Sequence, residues 1–233
     1  MAIELRVLGC FGVSIDHARV DISPIPARIL AYLALQPGGV RRSRLARVLW
    51  TKVPHDRALG NLRSALWRLP SDVRDAVAES GPSLRLADDV VCDLGPLRLG
   101  VAPTSGALPV VLGWAWRDEL LAGWYDDWVL AAREAFQARR AGVLEELATT
   151  SSAAGRGSDA LMFATLAVGA QPLRESAHRA LLRAHLELGH QSEAEQLYRE
   201  FARMLHHELG VRPSSETSAV MTDTRSAITE EVA

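Results

Sequence analysis

The chain has 233 residues, 48% hydrophobic and 23% charged, enough to bury the core of one large domain or two small ones. A formal net charge of −2 excludes general stickiness for polyanions, and no apolar run approaches the roughly 20 residues a membrane-spanning helix needs. The opening Met1-Ala2-Ile3-Glu4-Leu5-Arg6 lacks a signal peptide's basic and then apolar regions, and Cys10 and Cys92 form no CxxC, so a cytoplasmic protein with two buried, reduced thiols is expected.

Residues 3 to 8 alternate apolar and polar side chains, the period of a half-buried strand. After Gly9 and Gly12, residues 13–15 and 19–22 resume it around a turn at Asp16-His17-Ala18, which predicts a small antiparallel sheet. Ser23-Pro24-Ile25-Pro26 opens a helix over 27–36 with Ile29, Leu30, Leu33 and Ala34 as its core face, and Pro37-Gly38-Gly39 ends it. Ser43 is placed as the cap of a second helix, 44–50, that turns Leu45, Val48 and Leu49 inward. Arg41, Arg42, Arg44 and Arg47 crowd its N-terminal half, where amide donors and the helix dipole also favour an anion.

A loop over 51–55 leads to a third helix, 57–69, with Asp56 as its expected N-cap. At about 100° per residue, Leu59, Leu62, Leu66 and Leu69 share one stripe, while Arg57, Asn61, Ser64 and Arg68 line up almost opposite. Arg63 and Trp67 fall on a flank, and Trp67 is expected to pack under a neighbouring hairpin rather than to stack on a ligand. Arg and Asn pair bidentately with base edges in a major groove, and Ser reaches a base or a phosphate. From Pro26 to Arg74 the chain holds ten basic residues and two acids, a local excess of positive charge inside a chain of net charge −2. Such a block points to a local polyanion site.

Residues 76–80 and 84–87 flank Gly81-Pro82-Ser83 and read as a β-hairpin, with a short strand at 90–92. Two helices joined by a turn, the second basic, followed by a hairpin, make a winged helix-turn-helix. Pro96, Gly100, Pro103, Gly106, Pro109 and Gly113 mark a connector over 96–113. The second half is helical and repeats itself: Gly155, Ser158, Asp159 and Ala160 recur as Gly189, Ser192, Glu193 and Ala194 at an offset of 34 residues, the tetratricopeptide period. The glycines are expected to end the first helix of each pair and the alanines to let helices approach closely. Residues 116–121 and 125–147 complete the stack, and 219–233, polar and without period, read as a flexible tail.

Several clusters invite a chemical reading and fail it. Trp114, Trp116, Trp124, Tyr125 and Trp128 read as packing anchors between two domains rather than a ligand cage. His178, His185, His206 and His207 lack the companion Cys, Asp or Glu spacing of a metal site. No GxSxG, P-loop or HExxH is present, so no catalytic residue, metal or cofactor is expected, and the chain reads as no enzyme.

Three stretches carry a family resemblance in the first half: Leu5-Arg6-Val7-Leu8-Gly9, Arg44-Leu45-Ala46-Arg47-Val48-Leu49-Trp50, and Asn61-Leu62-Arg63-Ser64-Ala65-Leu66-Trp67-Arg68-Leu69. With them, residues 1–95 resemble the OmpR-type winged-helix domain of the SARP family of actinobacterial antibiotic-regulatory transcription activators. Ser83-Leu84-Arg85-Leu86 stands where that family usually has a Gly-Tyr-Arg-Leu wing. In the second half, residues 119–129 (with Ala122 in place of the usual proline), 172–181 and 208–214 resemble the bacterial transcriptional activator domain of the same family, here placed at 114–218.

The resemblance implies an α+β winged helix followed by an all-α, tetratricopeptide-like domain. It implies a sequence-specific activator that binds direct repeats near a promoter's −35 region, as a homodimer on DNA, and recruits RNA polymerase through its sigma factor and the C-terminal domain of its alpha subunit. Its targets are then secondary-metabolite gene clusters, and its place the nucleoid. On that reading Arg57, Asn61, Ser64 and Arg68 face bases; Arg41, Arg42, Arg44, Lys52 and Arg63 contact phosphates; Ser83 and Arg85 belong to the wing; Thr51, Val53 and His55 are candidates for polymerase contact. The composition leaves two other readings open: an interaction scaffold with little intrinsic DNA binding, and a regulator gated by a ligand between the helical repeats.

Overall fold

The computed structural model describes residues 2–95 and 119–222, and the chain divides into two compact units, Met1–Ala135 and Phe136–Ala233. The expected connector over 96–113, Trp114 and Trp116 lie outside the described residues.

In the first unit, β1 (Ile3–Arg6), β2 (Gly12–Ile15) and β3 (Ala18–Val20) form an antiparallel meander in register Ile3↔Ile15 and Val13↔Val20. Asp16 and His17, at φ of 46° and 69°, make the two-residue turn whose twist suits the flanking strands. β1 stops at Arg6, short of the expected Leu8, because the Val7 and Leu8 amides both donate to the Asp93 carboxylate at 2.9 Å. The alternation lapses there, and Cys10 is exposed and Cys92 half-buried; neither is the buried thiol that apolar surroundings in sequence suggested.

Next come α1 (Pro24–Ala34), β4 (Val40–Arg41), α2 (Arg42–Leu49), α3 (His55–Trp67) and the short α4 (Ser71–Arg74). β5 (Val77–Ser80) and β6 (Ser83–Leu86) form the hairpin, turning at Gly81 with φ 55°, and β7 (Val91–Cys92) returns to lie parallel to β1. Two elements were not legible in the sequence. β4 is two residues long and acquires strand geometry only by pairing with β6, Val40 opposite Leu84 and Arg41 opposite Ser83. That pairing makes Arg41, not Ser43, the residue before α2, so the helix starts two residues earlier than its cap residue implied. α4 is a single turn with Pro70 before it, too short to show a period. The core gathers Leu5, Ile29, Leu30, Leu33, Leu45, Leu62 and Leu84, all exposed by 2% or less.

Residues 119–135 are part of this first unit. Leu8 and Leu120 form an antiparallel bridge, extended by Gly9 donating to the Glu119 carbonyl and by Leu121 and Ala122 donating to Val7 and Gly9. Leu120 and Leu121 are fully buried, the latter at φ 51°. Trp124 packs on Phe11 with ring centroids 5.4 Å apart, and Trp128 meets Tyr32 edge-on at 5.3 Å. Arg28 reaches across to the Asp126 carboxylate at 3.1 Å and lies over the Trp124 ring. These aromatics therefore anchor residues 119–128 onto the winged helix within one unit, while Tyr125 stays 78% exposed.

Helix α5 (Asp127–Ala153) begins in the first unit and continues into the second, which adds α6 (Gly157–Ala170), α7 (Glu175–Glu187) and α8 (Gln191–Leu209). The 34-residue repeat holds down to single hydrogen bonds. Gly155 (φ 73°) and Gly189 (φ 76°) take the left-handed conformation after a helix, where glycine carries no Cβ penalty. Gly155 donates to the Ser152 carbonyl and Arg156 to Ser151; Gly189 donates to Leu186 and His190 to His185. Ala160 and Ala194, 1% and 0% exposed, then sit at equivalent turns of α6 and α8. His178 is buried, stacked 3.7 Å from the Phe201 ring centroid, and its Nε2 donates to the Pro172 carbonyl.

The described chain ends on a helical segment, 215–222. Residues 219–222 therefore do not belong to a tail. Thr217, Val220 and Met221, at helical spacing i, i+3 and i+4, are all buried, and the last two pack with Leu182 and Ala194. Glu175 fastens this segment, accepting the Ser214 amide (2.8 Å) and the Ser214 and Thr217 hydroxyls (2.6 Å each).

Candidate nucleic-acid interface

The site is built on α3. Pro54, not Asp56, precedes its first turn: proline needs no donor there, and its carbonyl accepts from the Ala58 amide at 2.9 Å. Asp56 instead lies in the first turn, where a carboxylate suits the helix dipole. At the other end Arg74 donates to the Trp67 and Leu69 carbonyls at 3.0 and 3.3 Å, satisfying groups the helix leaves without partners.

The buried side of α3 is not the leucine stripe. Ala58, Leu62, Ala65 and Leu69 are buried, while Leu59 and Leu66 are only half-buried. At about 100° per residue this turns the core-facing direction by roughly 50° from the one the leucines alone define. The cause is packing distance: alanine lets a helix approach its neighbour closely, so the smallest apolar residues take the tightest contact. The exposed arc turns with it. Trp67 and Gly60 stand opposite the core, Arg63 and Ser64 flank them, and Arg57 and Arg68 follow, all but Gly60 exposed. Asn61 is half-buried at the edge. Trp67, expected under the hairpin, is 77% exposed, because the rotation carries its ring away from the core. The signal that could have found this was Ala58 and Ala65 in phase with Leu62.

Around α3 the other basic residues sort into committed and uncommitted. Arg42 binds Glu79 of β5 at 2.6 Å, and its amide donates to the Pro82 carbonyl at the hairpin turn, so the start of α2 is tied to the wing twice. Arg85 is held by the Asp88 carboxylate and the Leu86 carbonyl, and Ser83 sits half-buried at the tip of β6. Arg68 gives its Nε to the Ser64 carbonyl at 3.2 Å. Among the described residues Arg41, Arg44, Lys52, Arg57 and Arg63 are exposed and make no ion pair. The turn after α2 carries Thr51, exposed, and Val53, half-buried; His55 opens α3, exposed. An exposed helix face with arginine and serine, backed by an uncommitted cluster on α2 and flanked by a hairpin, can bind a polyanion and present donors to it. No His/Cys/Asp/Glu cluster among the described residues is arranged to hold a metal ion, and no described helix is long and apolar enough to cross a membrane.

The comparisons agree with this architecture. Residues 114–225 match the family model of the bacterial transcriptional activator domain. Those residues, just under half of the chain, are a bacterial transcriptional activator domain. A winged helix followed by a bacterial transcriptional activator domain is also the SARP arrangement that the sequence motifs resemble. The chain's fold is similar to that of Mycobacterium tuberculosis EmbR, solved in complex with a low-affinity phosphopeptide: TM-score 0.76 at 22% identity, over 97% of this chain and 65% of that one. The chain thus spans less than two thirds of that protein's length. No curated protein matches its sequence significantly. The family model starts inside the first compact unit, so residues 119–135 belong to the activator domain by sequence and to the winged-helix unit by packing.

Proposed function

We propose that this protein is a sequence-specific DNA-binding activator that places α3 in the major groove of promoter DNA and the β5–β6 hairpin near the flanking minor groove. The observation that carries the reading is the exposed arc of α3: Arg57, Arg63, Ser64 and Arg68 stand on it with no acid beyond the first turn. Arg57, Ser64 and Arg68 are the base-reading candidates, with Asn61 at the edge of the arc. Arg41, Arg44, Lys52 and Arg63 supply phosphate contacts that fix register without reading sequence. Arg42, held by Glu79, positions the wing. Two copies bind a direct repeat near the −35 region, and the turn at Thr51 and Val53, with His55, meets RNA polymerase through its sigma factor and alpha C-terminal domain; the regulated genes form a secondary-metabolite cluster. These last elements rest on the family resemblance alone.

The test is binding of the full chain to a duplex selected from random sequence and to a mixed-sequence duplex, across a salt series. Affinity should fall with salt by a slope of roughly −0.9 per phosphate neutralised. Arg44→Ala should weaken both duplexes alike, whereas Arg57→Ala should cost about 1–3 kcal/mol on the selected site and blur its preference. If the wild type shows no salt-dependent binding to either, an interaction scaffold replaces the activator reading.

A further inference from the structure

Between α3 and β5 lies an open cleft whose walls are Arg63, Leu66 and Trp67 on one side and Val77 and Glu79 on the other, with Arg42 at its end. Its chemistry is mixed in a particular way. Glu79 is already held by Arg42 and Arg74 is spent on backbone carbonyls, so the cleft's uncommitted charge is the Arg63 guanidinium. One turn on, at i+4, Trp67 adds a large apolar ring, 77% exposed and directly opposite the helix's buried side. A solvent-facing tryptophan on a winged helix has a cost in solubility and no role in the core.

A DNA strand offers the complementary pattern, an anionic phosphate alternating with an apolar deoxyribose. We propose that this cleft seats the sugar-phosphate strand separating the major groove read by α3 from the minor groove under the wing, with Trp67 against a deoxyribose and Arg63 on the adjoining phosphate. The proposal rests on the DNA-binding reading above and adds a seat that fixes the depth of α3 without reading sequence. The Arg42–Glu79 pair holds β5 at the spacing that keeps the cleft open.

The experiment uses the full chain with a selected duplex, a mixed-sequence duplex, and a series of selected duplexes each carrying one neutral methylphosphonate linkage. Trp67→Ala should weaken binding about tenfold on both ordinary duplexes, the effect of removing a large interfacial aromatic, with an unchanged salt slope; Trp67→Phe should recover most of it. Arg63→Ala should lower the slope by about one. One methylphosphonate position should weaken the wild type and leave Arg63→Ala unaffected. The proposal is overturned if Trp67→Ala binds both duplexes as the wild type does, which would assign the ring to a protein partner. It is equally overturned if only the selected duplex suffers, which would make the ring a base reader, or if no methylphosphonate position separates wild type from Arg63→Ala. Absence of salt-dependent binding by the wild type would instead remove the DNA-binding reading itself.

Discussion

Replacing Arg133 by alanine tests how firmly the start of the activator domain belongs to the winged-helix unit. The guanidinium is only 11% exposed. It donates through Nε to the Leu120 carbonyl at 2.8 Å and through Nη2 to the Leu121 and Trp124 carbonyls at 2.7 and 2.8 Å, and it pairs with Glu119 at 2.9 Å. These bonds clamp a turn in which Leu121, a γ-branched residue, sits at φ 51°, a conformation that costs an L-residue roughly 1–2 kcal/mol. A hydrogen bond to a charged group contributes about 1.5–3 kcal/mol. The Glu119 end is half-exposed and contributes little. Water can replace the donor at the half-buried Trp124 but not at the buried Leu120 and Leu121. The expected loss is therefore about 3–5 kcal/mol for Arg133→Ala. For a unit of this size that lowers the melting midpoint by about 10–15 °C. Arg133→Lys should recover less than half, since an ammonium cannot span three carbonyls in a fixed fork. The assay is calorimetry of the full chain, followed by denaturant titration read by tryptophan fluorescence. A loss below about 1 kcal/mol, or full recovery by lysine, would refute the clamp.

Gly60 faces outward in the middle of α3 with nothing within 4 Å of an added Cβ, so Gly60→Ala should stabilise the free chain by about 0.5–1 kcal/mol in thermal melts. If the helix backbone approaches DNA closely there, the same variant binds the selected duplex more weakly; unchanged affinity would place DNA elsewhere on the helix. Phe201→Ala removes a ring 1% exposed that stacks on His178 and should cost about 3–5 kcal/mol in denaturant titration. The helical unit should also weaken in acid. Burial pushes His178 below 6.5 against a smaller opposing effect of its bond to Pro172, so the unfolded chain takes up the proton first, and stability falls as pH drops below about 6.5. His178→Phe should flatten that part of the profile. At lower pH Glu175 follows: burial alone would raise it, but the Ser214 and Thr217 hydroxyls, the Ser214 amide and Arg179 together hold it below 4.5. Its stabilising contribution is present above 4.5 and is lost as pH falls through the folded value; Glu175→Gln should remove that step, and an unchanged acid limb would sink the assignment.

Much of this molecule is local, and local features were legible. The 34-residue repeat survives from sequence to hydrogen bonds because a left-handed glycine after a helix and a small residue at a close crossing are requirements of a single helix pair, written within a few residues of each other. The hairpin turn at Gly81, the Asp16-His17 turn and the existence of three helices before the wing were legible for the same reason. Features that need a partner distant in the chain were not. β4 exists because β6 pairs with it, and β1 ends where Asp93, far along the chain, takes the Val7 and Leu8 amides. The face of α3 was misjudged by about 50° because residue hydrophobicity, which the sequence displays, is not the same as proximity, which the packing of Ala58 and Ala65 decides. That rotation moved Trp67, expected under the hairpin, onto the candidate interface beside Arg63. Composition and period determined that this chain is a winged helix with a helical repeat domain. Only the tertiary structure decided which side chains stand free on the candidate interface, because a side chain's availability depends on what residues far along the chain have already claimed.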